Sequence, residues 1–399
     1  MKKLISLVLC AAFLLGGCAA DIEPTGTVPP VIPEAASEAA PEAATETAPA
    51  PTEEAAPPVT ESPAVEPEST ALLAVSVPAV TEEFNLEDGT NLFTYTAQHM
   101  ELILPDESVA DRVILDFLNR VDKARSDAES ILHAAQSDYQ PEISWFPYFH
   151  QLIYSPTRID HGVLSLFGTQ NSYSGAMHGS LSCVCANYDL TTGDVLTLGS
   201  IMHENATKDA FITLIIEKLA ESADTLGLFS GYEDGVRSRL GGDENLYEDF
   251  FFTDTGLSFF FAPYEIAPYS AGVIAVEIPY QELPGLLYDG YFPAERELVQ
   301  GTLRTGTFME TDMTQFNNMA EVNLTNGEEI YVIYPEGRVE DIRVTVDSDG
   351  KNMPQYTVFA AMEMSARNAV VISLSEDELS KVTVSYTSEG NSISIPLVN

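Results

Sequence analysis

One long segment of the sequence cannot contribute to a hydrophobic core. Between residues 20 and 80 the chain has no aromatic residue, and it carries twelve of the 24 prolines and eleven acidic residues. No Lys or Arg occurs between Lys3 and Arg112. Such a segment buries too little apolar area to offset its conformational entropy, and its like charges repel each other. The composition therefore predicts a disordered tether over residues 18–80, with folded structure only after it.

The acidic composition excludes several functions. The chain has 61 acidic against 18 basic residues, a formal net charge of −43. A surface with this charge repels phosphate groups, so we expect neither a nucleic-acid-binding protein nor one held to anionic lipid by charge. A hydrophobic content of 45% is enough for one or two globular domains, and four cysteines are too few for a disulfide-rich scaffold.

The first eighteen residues resemble the export signal of a bacterial lipoprotein. A short basic region precedes an apolar run at residues 4–15, which is shorter than the ~20 residues that span a bilayer. The sequence Leu-Gly-Gly-Cys ending at Cys18 resembles a lipobox, whose cysteine receives a diacylglyceryl group. The resemblance implies a signal peptide over residues 1–17 and a mature chain anchored by lipid such as palmitate at Cys18, on the extracytoplasmic face of the cell membrane. A plain secretory signal is the alternative.

Hydrophobic periodicity predicts an α+β fold for residues 81–295. Apolar residues at helical spacing predict an amphipathic helix over residues 107–136, with Asp106 as its N-cap, and a second helix over residues 207–223. Runs of alternating or apolar residues predict strands at 92–96, 100–104, 143–154, 162–168, 178–190 and 273–280. Long helices and strands in one unit indicate an α+β domain.

A phenylalanine-rich segment predicts a β-hairpin. Residues 250–261 contain six Phe side chains around Asp254-Thr255-Gly256. This tripeptide suits a short turn with Gly256 at positive φ. Six phenylalanines exceed what one half-buried face holds, so we expect both faces of the hairpin to be covered.

The pattern changes after residue 295. Strand candidates follow one another with turn signals between them and without a long helical pattern, which predicts a small β-sandwich-like domain over residues 296–399. These candidates lie at 301–309, 319–324, 329–334, 338–346, 355–361, 368–374, 380–386 and 392–398.

Four separated motifs carry a family resemblance. They are Tyr173-Ser174-Gly175-Ala176-Met177-His178-Gly179, then residues 187–198, the Phe-rich hairpin, and Phe261-Ala262-Pro263-Tyr264-Glu265-Ile266-Ala267-Pro268-Tyr269. In this order they resemble the extracytoplasmic C-terminal domain of the RsiV anti-sigma factors, a domain of unknown function shared with PdaC-type peptidoglycan deacetylases. The resemblance divides the α+β region into an accessory part at 81–140 and a main part at 141–295. The usual Gly-Gly-Ala-His of the family is replaced by Gly-Ala-Met-His ending at His178.

The resemblance implies binding at the cell wall. In RsiV this domain binds lysozyme, and lysozymes are commonly basic, so an acidic chain would attract one. We find neither a sigma-binding segment nor deacetylase signatures in this sequence. We therefore expect a non-catalytic sensor or binding protein that recognises a cell-wall component or a wall-active protein such as lysozyme. One alternative is a peptidoglycan- or glycan-modifying hydrolase with an unrecognised site near His178 and Glu265. Another is a structural spacer whose β-sandwich holds a larger assembly.

Seven residues are candidates for ligand contact: Tyr173, Ser174, His178, Pro263, Tyr264, Glu265 and Tyr269. Prolines stiffen the segment 263–269, and tyrosine offers a large contact area at low entropy cost. His178 also has a structural interpretation as a hydrogen-bonded histidine, and Tyr264 and Tyr269 have one as side chains that cap the hairpin. We expect no cofactor, catalytic residue or metal site. For zinc in particular, the histidines show no metal-ligand spacing, and His203 lacks the second histidine of a zinc motif.

Two cysteines lie two residues apart in a predicted strand. Cys183 and Cys185 therefore share a face, at the limit of disulfide reach. One interpretation is a pair of small buried thiols. The other is a strained disulfide bridge or a reactive thiol.

Overall fold

The computed structural model describes residues 73–241, 250–293, 303–307, 329–335, 338–347, 355–364, 370–374, 381–388 and 391–396. The predicted signal peptide, Cys18 and the tether up to residue 72 lie outside these residues. So do the strand predicted at 319–324 and the predicted domain boundary at 295/296.

The expected α+β fold is confirmed, with four α-helices and four sheets in the described part of the chain. The helices are α1 (Glu107–Asp138), α2 (Leu198–Ile201), α3 (Lys208–Leu226) and α4 (Tyr232–Gly241). The strands are β1 (Ala74–Ser76), β2 (Ala79–Asn85), β3 (Asn91–Gln98), β4 (Glu101–Ile103), β5 (Tyr148–Ile159), β6 (Val163–Tyr173), β7 (Ser180–Asp189), β8 (Phe250–Phe252), β9 (Gly256–Phe261), β10 (Ile274–Pro279), β11 (Leu303–Thr307), β12 (Glu329–Pro335), β13 (Val339–Asp347), β14 (Gln355–Met364), β15 (Val370–Leu374), β16 (Val382–Ser388) and β17 (Asn391–Pro396).

Helix α1 forms where its amphipathic spacing predicts it. Asp106 is its N-cap, and the Asp106 Oδ1 atom accepts a hydrogen bond of 2.9 Å from the backbone N–H of Ser108. The buried stripe of the helix packs on one face of a five-stranded sheet in the order β2-β3-β5-β6-β7. Only β3 and β5 run parallel in this sheet; its other neighbours are antiparallel.

The second face of the five-stranded sheet is covered by a three-stranded sheet in the order β10-β9-β8. Buried polar side chains join the two sheets. The Ser165 hydroxyl accepts a hydrogen bond of 2.9 Å from the Phe252 N–H, and the Asn187 Nδ2 atom donates one of 2.8 Å to the Phe250 carbonyl. Helices α2, α3 and α4 pack on the outer face of the smaller sheet. The result is four layers: α1, five strands, three strands and the remaining helices.

The predicted hairpin is present as β8 and β9, and both of its faces are buried. Four phenylalanines pack toward α3: Phe250, Phe252, Phe259 and Phe261. The other two, Phe251 and Phe260, pack toward the five-stranded sheet. The predicted reason for Gly256 is wrong, because its φ is not positive. A Cβ atom there would instead collide with the backbone carbonyl of Ile278 on the neighbouring strand, so the sheet requires glycine by close approach.

Residues 73–80, which the composition assigns to the predicted tether, are folded. Residues 73–80 contain β1 and the start of β2, and β1 pairs with both β4 and β14. Together with β13, β16 and β17 these strands form a six-stranded sheet. Leu73 and Val75 are buried, and that apolar area outweighs the surrounding polar composition.

The six-stranded sheet connects the two predicted domains. On one face, Val75 and Ala360 pack into the core beneath α1. On the other face, Ala74 and Phe359 pack in a core that also contains Ile333 of β12, which belongs to the sheet β11-β12-β15. Two sheets facing each other across an apolar core fit the sandwich-like arrangement expected for the C-terminal region.

A buried arginine links β5 to the segment after β10. The Arg158 Nε atom donates a hydrogen bond of 2.6 Å to Asp160, and its Nη1 atom donates one of 2.7 Å to the Tyr280 hydroxyl. Asp160 in turn accepts hydrogen bonds from the backbone N–H groups of Gly162 and Val163. Because every charged group here has partners, the network fixes the two sheets without leaving an uncompensated charge.

Candidate binding site

Three rings, from the loop between β6 and β7 and from the turn after β9, contact one another in a row, and an exposed methionine precedes the first of them. The His178 ring lies 4.8 Å from the Tyr269 ring, and the Tyr269 ring lies 5.6 Å from the Tyr264 ring, measured between centroids. Met177, next to His178, is fully exposed, and Tyr264 is 60% exposed. We call Met177, His178, Tyr264 and Tyr269 the aromatic surface.

The first half of the aromatic surface comes from the loop between β6 and β7. Gly175 in this loop has a φ of 85°, a conformation that favours glycine. It also lies directly against the Tyr148 hydroxyl, where a Cβ atom would collide. The His178 Nδ1 atom lies 2.9 Å from the Gly179 carbonyl oxygen. The Tyr269 hydroxyl donates a hydrogen bond of 3.5 Å to the same carbonyl, which joins the two halves of the surface.

The second half comes from the turn that follows β9. The Tyr264 N–H donates a hydrogen bond of 3.0 Å to the Ala267 carbonyl, and the Glu265 N–H donates one of 3.1 Å to the Ala262 carbonyl. The Glu265 carboxylate accepts a hydrogen bond of 2.7 Å from the Ala262 N–H. Its other oxygen lies 3.3 Å from Arg239 Nη1 of α4. Both carboxylate oxygens are therefore engaged inside the protein.

The structure places one of the predicted site residues, Tyr173, in the aromatic cluster beside α1. Tyr173 packs on the α1 side of the sheet, where its ring lies 5.6 Å from Tyr148 and 5.4 Å from Phe146. Ser174 is exposed at the start of the loop between β6 and β7. His178, Pro263, Tyr264, Glu265 and Tyr269 remain on or next to the aromatic surface.

Neither of the two cysteines in the described residues forms a disulfide, and Cys183 lies beside this site. Cys185 is buried against Phe251 and Phe260, and Cys183 is half-buried. Burial, reinforced by the negative charge of Glu265, raises the pKa of Cys183 to about 12. A thiol with this pKa stays protonated near neutral pH and is a poor nucleophile.

Two contributors to the site were not predicted from the sequence. Arg239 lies in α4, whose short sequence with Gly235 and Gly241 has a weak helical pattern, with only Val236 and Leu240 buried. Met177 was noted only as a departure from the family motif, although its full exposure makes it the most accessible apolar side chain of the loop. Exposure of an apolar residue has no signature in a single sequence.

The described residues contain no cluster of three or more His, Cys, Asp or Glu side chains that could hold a metal ion. None of the helices in the described ranges has the length and the apolar content needed to cross a membrane.

The fold and the site define an α+β protein with an exposed aromatic surface on two braced loops. Residues 200–281 contain a DUF3298 domain, whose family is described as "Protein of unknown function (DUF3298)". This match includes α3, α4, the hairpin, Tyr264 and Tyr269, whereas the loop with His178 precedes it. A comparison with curated proteins finds no match.

Two solved structures are similar to this chain. A member of the DUF3298 family from Bacteroides fragilis NCTC 9343 is 18% identical, with a TM-score of 0.39 over 55% of this chain and 96% of its own. A DUF3298 family protein from Pseudomonas aeruginosa PAO1 is 16% identical, with a TM-score of 0.42 over 56% of this chain and 98% of its own. At these values neither similarity bears on function.

Proposed function

We propose that this chain is a lipid-anchored, non-catalytic binding protein of the cell envelope that recognises a cell-wall component or a wall-active cationic protein. The aromatic surface is the observation that carries this proposal. Lysozyme is the first partner to test, because the family resemblance implies it and because a basic protein complements a chain with a net charge of −43.

The composition of the aromatic surface favours protein recognition. Tyrosine and methionine are enriched in the cores of protein interfaces, and contacts made by a few aromatic residues supply most of the binding energy. Tyr264 and Met177 gain little from the fold because they are largely exposed. A partner that covered them would bury apolar area that the free protein leaves in water.

The contacts of Glu265, one of the two groups of the alternative hydrolase site, support binding rather than hydrolysis. The Glu265 carboxylate is engaged by the Ala262 N–H and by Arg239, so it braces the turn. A general acid or base needs a free position within hydrogen-bond reach of the substrate, and both Glu265 oxygens already hold partners. The His178 Nδ1 atom lies on the Gly179 carbonyl, so the His178→Ala variant described below tests the role of this ring directly.

Titration calorimetry tests this proposal on the full mature chain carrying Cys18→Ser, with lysozyme and, separately, muropeptides as titrants. We expect saturable binding that Tyr264→Ala weakens at least about tenfold. Tyr288→Ala is the matched control, because Tyr288 is also exposed and also packs against a histidine, His203, at 5.3 Å. Saturation by muropeptides alone would assign the surface to a wall glycan. Release of acetate or reducing sugar that His178→Ala abolishes would contradict the proposal and support the hydrolase alternative.

Anchoring is tested separately from recognition. Cells that express the full chain are labelled with radioactive palmitate, and the expected result is incorporation that Cys18→Ser abolishes. Incorporation that is absent from the wild type, or equal in the variant, would contradict the lipid anchor.

A further inference from the structure

Tyr264 has an unusual backbone conformation for its residue type. Its φ is 75°, and within the described residues Asp341 is the only other non-glycine residue with a positive φ. A side chain with a Cβ atom is strained in this region, and an aromatic ring that is 60% exposed recovers little energy by burial. The surrounding structure must therefore impose the conformation.

The turn at residues 262–267 is braced from both ends. The Tyr264 N–H donates to the Ala267 carbonyl, and Glu265 exchanges hydrogen bonds with Ala262 through its backbone N–H and its carboxylate. These bonds close the backbone around Tyr264. Ile266, immediately after the exposed part, is completely buried in the core beneath α3. The Phe229 N–H also donates a hydrogen bond of 2.9 Å to the Ile266 carbonyl, which ties the turn to the segment before α4.

Helix α4 supplies the remaining brace. The Arg239 Nη1 atom lies 3.3 Å from Glu265 Oε1, and both side chains are about three-quarters buried. Gly235, one turn earlier, allows the helix to approach the turn closely, because a Cβ atom there would lie 2.9 Å from the Glu265 carbonyl oxygen. The partly buried ion pair is less screened than a surface pair, and it holds the carboxylate that accepts the Ala262 N–H.

We propose that Arg239 is a positioning residue: through Glu265 it holds Tyr264 in the left-handed conformation, with its ring against Tyr269, before a partner binds. This inference rests on the proposed function of the aromatic surface. A loop that is already ordered in its bound conformation loses less entropy on association, so the brace raises affinity without touching the partner.

The first arm of the test needs no ligand. Amide hydrogen exchange is measured on the full mature chain carrying Cys18→Ser, and Arg239→Met is compared with Arg237→Met. Arg237 lies on the same helix but is exposed, so it is the matched control. We expect the Ala262 and Tyr264 amides to exchange at least about tenfold faster in Arg239→Met only. Arg239→Lys keeps the charge and should give an intermediate exchange rate. If Arg239→Met does not fold, the comparison is made with Arg239→Lys instead. Unchanged exchange rates in both variants would overturn the proposal.

The second arm is a double-mutant cycle with lysozyme as the probe. If Arg239 acts only through Tyr264, Arg239→Met weakens binding about tenfold in the wild-type background and has no effect in the Tyr264→Ala background. Losses that simply add would show that Arg239 contacts the partner itself, and would overturn the positioning role. If the unmodified chain does not bind lysozyme or muropeptides, the proposed function fails, whereas the exchange measurement still decides whether Arg239 holds the turn.

Discussion

Tyr264 is held in a conformation that lowers the stability of the fold. Its positive φ costs about 1–2 kcal/mol for a residue with a Cβ atom, and glycine does not pay that cost. A residue that is unfavourable for folding and exposed to solvent is consistent with selection for contact rather than for stability.

Replacement by glycine separates these two roles. We predict that Tyr264→Gly raises the free energy of unfolding by up to about 1 kcal/mol while it removes binding. Tyr288→Gly is the control, because Tyr288 is also exposed, at 42%, but has an unstrained φ of −64°. Glycine at position 288 should therefore lower the free energy of unfolding of the protein. Denaturant unfolding measures both. Equal destabilisation by the two substitutions would contradict the assigned strain.

His150 is a buried group whose ionisation should weaken the fold. Its ring stacks on Tyr95 at 6.1 Å between centroids, its Nε2 atom lies 3.3 Å from the Gln170 Nε2 atom, and no described group is hydrogen-bonded to its buried Nδ1 atom. Burial lowers the pKa of His150, and the opposing influence of Asp127 is smaller. The folded protein therefore holds this proton less tightly than the unfolded chain does.

The sign of the pH dependence follows from this difference. His150 contributes its full stability above the unfolded pKa of about 6.5, and that contribution is lost as the pH falls toward the lower folded pKa. We predict that the stability of the wild type falls below pH 6.5 more steeply than that of His150→Gln, by no more than about 1.4 kcal/mol per pH unit. Urea unfolding from pH 7.5 to 5 measures the two slopes. Parallel slopes would show that His150 does not titrate in this way.

At the scale of single residues, the sequence predicted which residues lie at the site better than it predicted what each of them does there. Tyr264 and Tyr269 were identified as contact candidates, and they do lie together with His178. Glu265 was expected at the contact surface, but its carboxylate is engaged by the turn and by α4. That role depends on Arg239, which is 26 residues away, and a local pattern carries no information about such a partner.

The secondary-structure elements show where a local pattern is sufficient. The predicted bounds of α1 lie within two residues of the observed ones, because its N-cap and its apolar stripe are both local signals. Helix α4 gives almost no such signal, since Val236 and Leu240 are its only buried residues. Gly256 shows the same limit in a strand: a turn motif suggested a positive φ, whereas the reason for glycine is the neighbouring strand β10.

The role of Gly256 gives a prediction for the hairpin. Gly256→Ala should lower the free energy of unfolding by about 1–3 kcal/mol, because the added methyl group meets a backbone carbonyl that cannot move without distorting the sheet. Gly290→Ala is the matched control, since no atom lies within 4 Å of a Cβ built there. Thermal unfolding of both variants provides the measurement. A Gly256→Ala protein as stable as the control would contradict the close approach.

At the scale of the whole molecule, β1 is one of the elements that join the regions before and after residue 293. It lies between β4 and β14, and Val75 is completely buried beneath α1. Its composition alone placed this segment in the tether, because three strand residues carry too weak a pattern beside a long Pro- and Glu-rich stretch. Its pairing with β4 and with β14, nearly 300 residues later, and the burial of Val75 explain why the segment is ordered.

This connection predicts that a small change near the tether destabilises the whole fold. Val75→Ala should lower the free energy of unfolding by about 2 kcal/mol, through lost burial and the cavity that remains. Val80→Ala in β2 should change it by less than about 0.5 kcal/mol, because Val80 is 52% exposed. Denaturant unfolding of the full mature chain compares the pair. Similar small effects at both positions would mean that β1 is peripheral to the fold.

Hydroxyl-radical footprinting of the full mature chain, with and without lysozyme, tests the central claim most directly. Met177 is fully exposed in the free protein and chemically reactive, so it reports occupancy of the aromatic surface. We predict that Met177 and Tyr264 become protected from oxidation in the complex while Tyr288 does not. Oxidation of Met177 and Tyr264 at the same rate under saturating lysozyme would contradict the assignment of this surface as the binding site.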